Sequence, residues 1–213
     1  MKRILIVIVV LLVLGSVSFG ASFGAFGGIS TGVGFTPTFY VPFDPFSVAV
    51  DLIGSLGIIP NADLQINLST LIFSQEGFAW GGLWIMPRYD LGGLSILNFN
   101  VFALKLSYSD GFGLGVEYHT ELGILKDLLS IEFNLGLGVI PSLNLYSIVS
   151  PVLYLSSILG VPLALYYEAD ISSDFSGVGV GSIIGIFFSK DNISLNLGYD
   201  FSQRLVGWVS ISF

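Results

Sequence analysis

Glu117, His119 and Glu121 occupy every second position of one short stretch, and Glu132 lies in the segment that follows. Carboxylates and an imidazole in this spacing suit cation binding or proton transfer. On a strand, residues i and i+2 stand about 7 Å apart, so two of the three could touch one ion and all three could not. The competing reading is a hydrated polar network balanced by Lys105, with no metal bound. Asn134, Glu168, Asp170 and Asp200 extend the same polar set, and Arg204 follows Asp200 closely enough to pair with it across Phe201-Ser202-Gln203.

The stretches that must position these groups have a period of two. Phe112, Leu114, Val116, Tyr118, Thr120 and Leu122 fall on one face, with Gly113, Gly115, Glu117, His119 and Glu121 on the other. Leu129, Ile131, Phe133, Leu135, Leu137 and Val139 repeat the apolar face, opposed by Ser130, Glu132, Asn134, Gly136 and Gly138. Such alternation marks strands. A long apolar face backed by small and charged residues is how a strand looks when it separates lipid from a polar lumen. The expected fold is all-β, an antiparallel up-and-down transmembrane β-barrel.

Composition points the same way. Of 213 residues, 53% are hydrophobic and 10% charged, and the mean hydropathy is +0.86. Soluble domains carry about 25% charge, so part of this apolar surface must meet lipid or a partner. Residues 1–20 have a basic start at Lys2 and Arg3, an apolar run from Ile4 to Leu14, and small residues at Ser18 and Gly20. The run is short for a bilayer span and fits a secretory signal peptide cut after Gly20; the alternative is a helical anchor. Residues 21–213 then form a single barrel domain. Cysteine is absent, which excludes disulfides and a lipid-modified N-terminal cysteine. The net charge of −8 falls further once Lys2 and Arg3 are removed. An acidic chain does not suggest nucleic acid as a partner.

Along the chain, Ile29, Thr31, Val33 and Phe35 alternate with Ser30, Gly32 and Gly34, giving a first strand that Pro37, Pro42 and Pro45 are expected to end. Residues 44–57 admit two readings. Asp44-Pro45 could cap a short helix closed by Gly57, or Phe46, Val48, Val50 and Leu52 could alternate as a strand; strand is the preferred one. Asp63, Gln65, Asn67 and Ser69 face in. So do Asn98 and Asn100, and then Ala103, Lys105 and Ser107, which requires a bulge near Val101-Phe102. Tyr166, Glu168 and Asp170 face in opposite Leu165, Tyr167 and Ile171; Ser194, Asn196, Gly198 and Asp200 oppose Leu195, Leu197 and Tyr199. Tyr108 and Phe112 can pair across Ser109-Asp110-Gly111, with Gly111 left-handed, and Lys190-Asp191 makes a two-residue turn. A spanning strand with its turn takes about 15 residues, giving about 12 strands, or ten if 44–57 is helical and one weak segment is a loop. A helical membrane protein is the rival fold, because no charge lies between Glu132 and Glu168; Pro141, Pro151 and Pro162 argue against it.

The chain ends Leu205-Val206-Gly207-Trp208-Val209-Ser210-Ile211-Ser212-Phe213, with Val209, Ile211 and terminal Phe213 on one face. This resembles the C-terminal strand of bacterial outer-membrane proteins, where a terminal aromatic and alternate apolar residues are the assembly signal. Gly207 and Trp208 sit about one place off that pattern. The resemblance implies the outer membrane of a double-membraned bacterium, outer-membrane lipid as surroundings, and the secretion translocon and barrel-assembly machinery as partners in biogenesis. His119 with Glu132 on the next strand is also similar to the lipid A deacylase barrels, but Glu121 stands where they carry the nucleophilic serine. A carboxylate cannot replace that hydroxyl in acyl transfer, so no enzyme is expected. The glycine runs Gly111–Gly115 and Gly177–Gly181 are not phosphate loops, since no helix follows them. No cofactor is called for.

Three functions suit such a barrel. The first is a small passive channel that prefers cations, because acidic rings favour them. The second is a structural barrel with a packed core. The third is apolar-ligand binding inside the barrel, using inward Ile183, Phe187, Val206 and Trp208.

Overall fold

The computed structural model describes residues 32–42, 47–74, 77–92, 96–174, 177–190, 193–201 and 204–212. Residues 1–20, expected to be a signal peptide, residues 44–46 and Phe213 lie outside them. Twelve strands follow one another: β1 (Val33–Pro42), β2 (Val48–Ile59), β3 (Ala62–Ser74), β4 (Gly77–Asp90), β5 (Leu97–Tyr108), β6 (Phe112–Leu125), β7 (Leu129–Ile140), β8 (Asn144–Tyr154), β9 (Leu163–Asp174), β10 (Gly177–Lys190), β11 (Ile193–Asp200) and β12 (Arg204–Ser212). Each pairs antiparallel with the next, and β1 pairs with β12 to close the barrel. A single turn of helix, α1 (Ser156–Leu159), joins β8 to β9 and ends on Gly160 at φ 67, the left-handed cap that glycine adopts without strain.

The strands form because alternation gives each one an apolar and a polar face, and closure satisfies every edge. The polar face is the buried one. Asp63, Gln65, Asn67, Glu117, His119 and Asn134 are all buried, while Ile66, Leu68, Leu135, Leu137, Leu195 and Leu197 are exposed. That inversion of a soluble fold is the signature of a barrel whose outer surface meets hydrocarbon. The uncharged stretch between Glu132 and Glu168, the basis of the helical reading, contains the strand β8, which pairs with β7 and β9.

Several expectations are corrected. The first strand does not stop at Pro37. Proline lies inside β1 opposite Leu52 of β2, and the ladder to β12 runs from Phe35↔Ile211 to Thr38↔Trp208 without pairs at 36 and 37. A proline has no N–H to give, so it is tolerated where one ladder lapses. Residues 48–57 belong to strand β2, which agrees with the preferred reading over the described part of 44–57. The parity switch in β5 is a register shift between Leu97 and Phe99, not at Val101-Phe102. Val101 therefore faces in, opposite His119, and is fully buried. Asn100 pairs with outward Thr120 and faces away from the lumen. Tyr108 pairs with Phe112 as expected, but Gly111 is not left-handed; the positive φ at a neighbouring turn belongs to Asp127, at 57°. Lys190 pairs with Ile193 and belongs to β10, not to the expected Lys190-Asp191 turn; residues 191–192 lie outside the described residues.

Candidate functional site

Among the described residues, polar arrangements on the inner wall are assembled from neighbouring strands by register, and three concern the acidic residues. The first joins β5, β6 and β8. Ala103 pairs with Glu117 and Lys105 with Gly115, so Lys105 reaches along the wall to Glu117, with Nζ 2.8 Å from Oε1. Glu117 Oε2 meets His119 Nε2 at 2.8 Å, and the Tyr146 hydroxyl donates to Glu117 Oε1. The Lys105 ammonium also sits 5.5 Å from the Trp84 ring centre and 5.4 Å from that of Tyr146, within cation–π range. Glu117 is thus held from three sides, and Lys105 is committed to it.

The second arrangement joins β3 and β4. Asp63 pairs with Arg88 in register. Arg88 Nε donates to Asp63 Oδ1 at 2.8 Å, and Nη2 donates to Oδ2 at 2.6 Å. Both side chains are 0% exposed. This fork-on-fork geometry is the strongest form of the pair.

The third is a row of carboxylates. Glu121 stands directly opposite Glu132, and Glu132 opposite Ser150. On β9 Glu168 faces Ile183, which faces Asp200, which faces Arg204. Asp170 lies one step along, opposite Gly181 and Ile148. The row crosses the wall from β6 to β12. Tyr154 donates to Glu121 Oε1 at 3.0 Å. Among the described residues, no hydrogen bond or ion pair reaches Glu132 or Glu168. Like charges directly opposite across a ladder cost about 0.2–1 kcal/mol. Glu132→Gln is therefore expected to raise stability by that amount in chelator-containing buffer, read by urea unfolding; a loss of stability would contradict the placement of Glu132 beside Glu121.

Between these groups the wall is kept thin. The Tyr166 ring lies over Gly185, where an added Cβ would clash at 2.6 Å, and its hydroxyl donates to Asn196 Oδ1 at 2.9 Å. Tyr146 lies over Gly136 in the same manner. Glycine is required at both places by close approach of a ring, a pairing known to stabilise sheets. At the end of the barrel where β5 meets β6 and β9 meets β10, a cavity of about 820 Å³ opens, lined by Lys105, Ser107, Asn144, Tyr146, Ser172 and Gly179 among others. Toward the other end Phe187 and Trp208 pack together, ring centres 5.5 Å apart.

Solved structures share this architecture. The chain is similar to the KdgM porin, with a TM-score of 0.63 at 12% identity over 84% of this chain and 99% of that one. A second structure, of the KdgM porin in complex with disordered oligogalacturonate, gives 0.61 at 13% identity over 84% and 99%. The NanC porin gives 0.62 at 8% identity over 85% and 98%. The fold is that of small outer-membrane porins. No protein-family model matches the chain, and no curated protein matches it either.

Of the residues singled out in the sequence, Lys105, Glu117 and His119 come together, and Glu121, Glu132, Glu168, Asp170 and Asp200 form the row. Asn134 pairs in register with His119. Arg204 stands opposite Asp200 in the backbone register. Val209 pairs with Leu195, and Ile211 with Ile193 and Phe35. Sequence reasoning missed Arg88, Tyr146 and Tyr154. Tyr146 and Tyr154 share the parity of Ser150, a signal that existed once β8 was read as a strand.

Proposed function

We propose that the protein is a small passive channel of the bacterial outer membrane that prefers cations. The single observation that carries this reading is the carboxylate row. Glu121, Glu132 and Glu168 face the lumen with no cationic side chain bound to them among the described residues, since Lys105 is committed to Glu117 and Arg88 to Asp63. Fixed negative charge on a low-dielectric wall concentrates cations and repels anions. The flattened tyrosines and the cavity at one end support a path. Residues 1–20 act as the signal for the secretion translocon, and the last strand, with Val209, Ile211 and Phe213, as the signal for the barrel-assembly machinery. No reaction is assigned, because His119 Nε2 is held by Glu117 and Glu121 supplies no nucleophilic hydroxyl. Oligogalacturonate is a polyanion, and it would meet like charge along this row, so that ligand does not suit this lumen.

Planar-bilayer recording under a KCl gradient tests the proposal. The reversal potential is expected on the cation side, and Glu132→Gln with Glu168→Gln is expected to move it toward zero. Anion selectivity, or no conductance, contradicts it. Silence would favour a second reading, a structural barrel. Buried, inward Met86, Val101 and Ala103 on β4 and β5 support that reading, because they pack one side of the lumen with apolar atoms.

A further inference from the structure

We infer that the β6–β7–β8 segment of the inner wall holds a binding site for a hard divalent cation of the calcium class, with Glu121, Glu132, Asn134 and Ser150 as its oxygen donors. The register fixes the juxtaposition. Glu121 and Glu132 are direct cross-strand neighbours, and Ser150 is the direct neighbour of Glu132 on the other side. Side chains so placed have Cβ atoms about 4.5–5.5 Å apart, close enough for their oxygens to converge on one ion. Asn134 lies two residues along β7 on the same face.

The independent observation is a pair of orphaned oxygens. Ser150 is 3% exposed and Asn134 5% exposed, yet Ser150 Oγ and Asn134 Oδ1 have no hydrogen-bond partner among the described residues. Buried polar atoms are almost always satisfied. Both orphans flank a carboxylate, Glu132, that itself has no hydrogen bond or ion pair among the described residues. Tyr154 occupies Oε1 of Glu121 and leaves Oε2 available. Two carboxylates, an amide oxygen and a hydroxyl form an all-oxygen donor set, the kind that calcium takes and that softer metals do not favour. A bound dication also removes the repulsion between the facing carboxylates. With only two charged donors the affinity expected is weak, a Kd of about 0.1–1 mM.

The inference shares the carboxylate row with the conduction proposal, and its test is independent of conductance. The barrel, refolded in detergent and stripped with chelator, is unfolded thermally with CaCl2 or with NaCl at equal ionic strength. Calcium is expected to raise the unfolding midpoint progressively through the millimolar range, as binding to the folded state alone requires. The calcium-dependent shift should vanish in Glu132→Gln, which keeps shape and is expected to fold. It should require severalfold more calcium in Ser150→Ala and Asn134→Ala. It should persist in Asp110→Asn, at the β5–β6 turn. A shift no larger than that from NaCl, or one that survives Glu132→Gln unchanged, overturns the site. A barrel that binds calcium and does not conduct would uphold the site and refute the channel; the reverse result would do the opposite.

Discussion

Leu135→Lys is expected to cost the inserted barrel about 2–4 kcal/mol, the penalty for a lysine near the bilayer midplane on the lipid face of a strand. Leu135 is near the middle of β7, exposed, and paired with Tyr118 and Ser147. The matched control is Glu132→Lys, on the same strand and the opposite face. There the new ammonium meets Glu121 instead of hydrocarbon, and folding into lipid vesicles should be largely preserved. Equilibrium urea titration in vesicles measures both. Equal losses, or a greater loss for Glu132→Lys, would mean that the faces are reversed.

Arg88→Met is the second substitution with a large expected effect, a loss of about 3–5 kcal/mol. Removing the guanidinium leaves Asp63, wholly excluded from solvent, with neither of the charge-assisted hydrogen bonds it now accepts. The paired substitution Asp63→Leu with Arg88→Met should recover most of that loss, because the cost lies in the buried carboxylate stripped of its guanidinium and not in the missing attraction. A double variant as unstable as the single one would show that the arginine acts by packing.

The difference between these two predictions follows what was legible in the sequence. The faces of β6 and β7 could be read directly, because glutamates and glycines alternate there with leucines, isoleucines and aromatics over whole strands. The strand count followed from that period and the length. β1 was harder: Pro37 reads locally as a break, and only the lapse in its ladder to β12 shows why it is tolerated. At Val101 the code failed for a physical reason, although Ala103 was read correctly as inward. The lumen accepts small apolar groups beside Glu117 and His119, so the inward face of β5 does not look polar there and the shift at Leu97–Phe99 was misplaced. The ion pair of Asp63 and Arg88, and the tyrosines on Glu117 and Glu121, were not legible. They depend on which residue of one strand stands opposite which residue of the next, and periodicity within a strand does not carry register. The carboxylate row was legible as a list of inward acids, but its continuity around the wall was not.

The central claim is that alternate side chains face hydrocarbon and their neighbours face a wet, acidic interior. The chain has no cysteine, so single cysteines placed along β9 report on it without background. In bilayers, a charged, membrane-impermeant thiol reagent is expected to modify cysteine at 168, 170 and 172, and to leave 165, 167, 169 and 171 unmodified. Modification at the odd positions, or no alternation at all, would contradict the account.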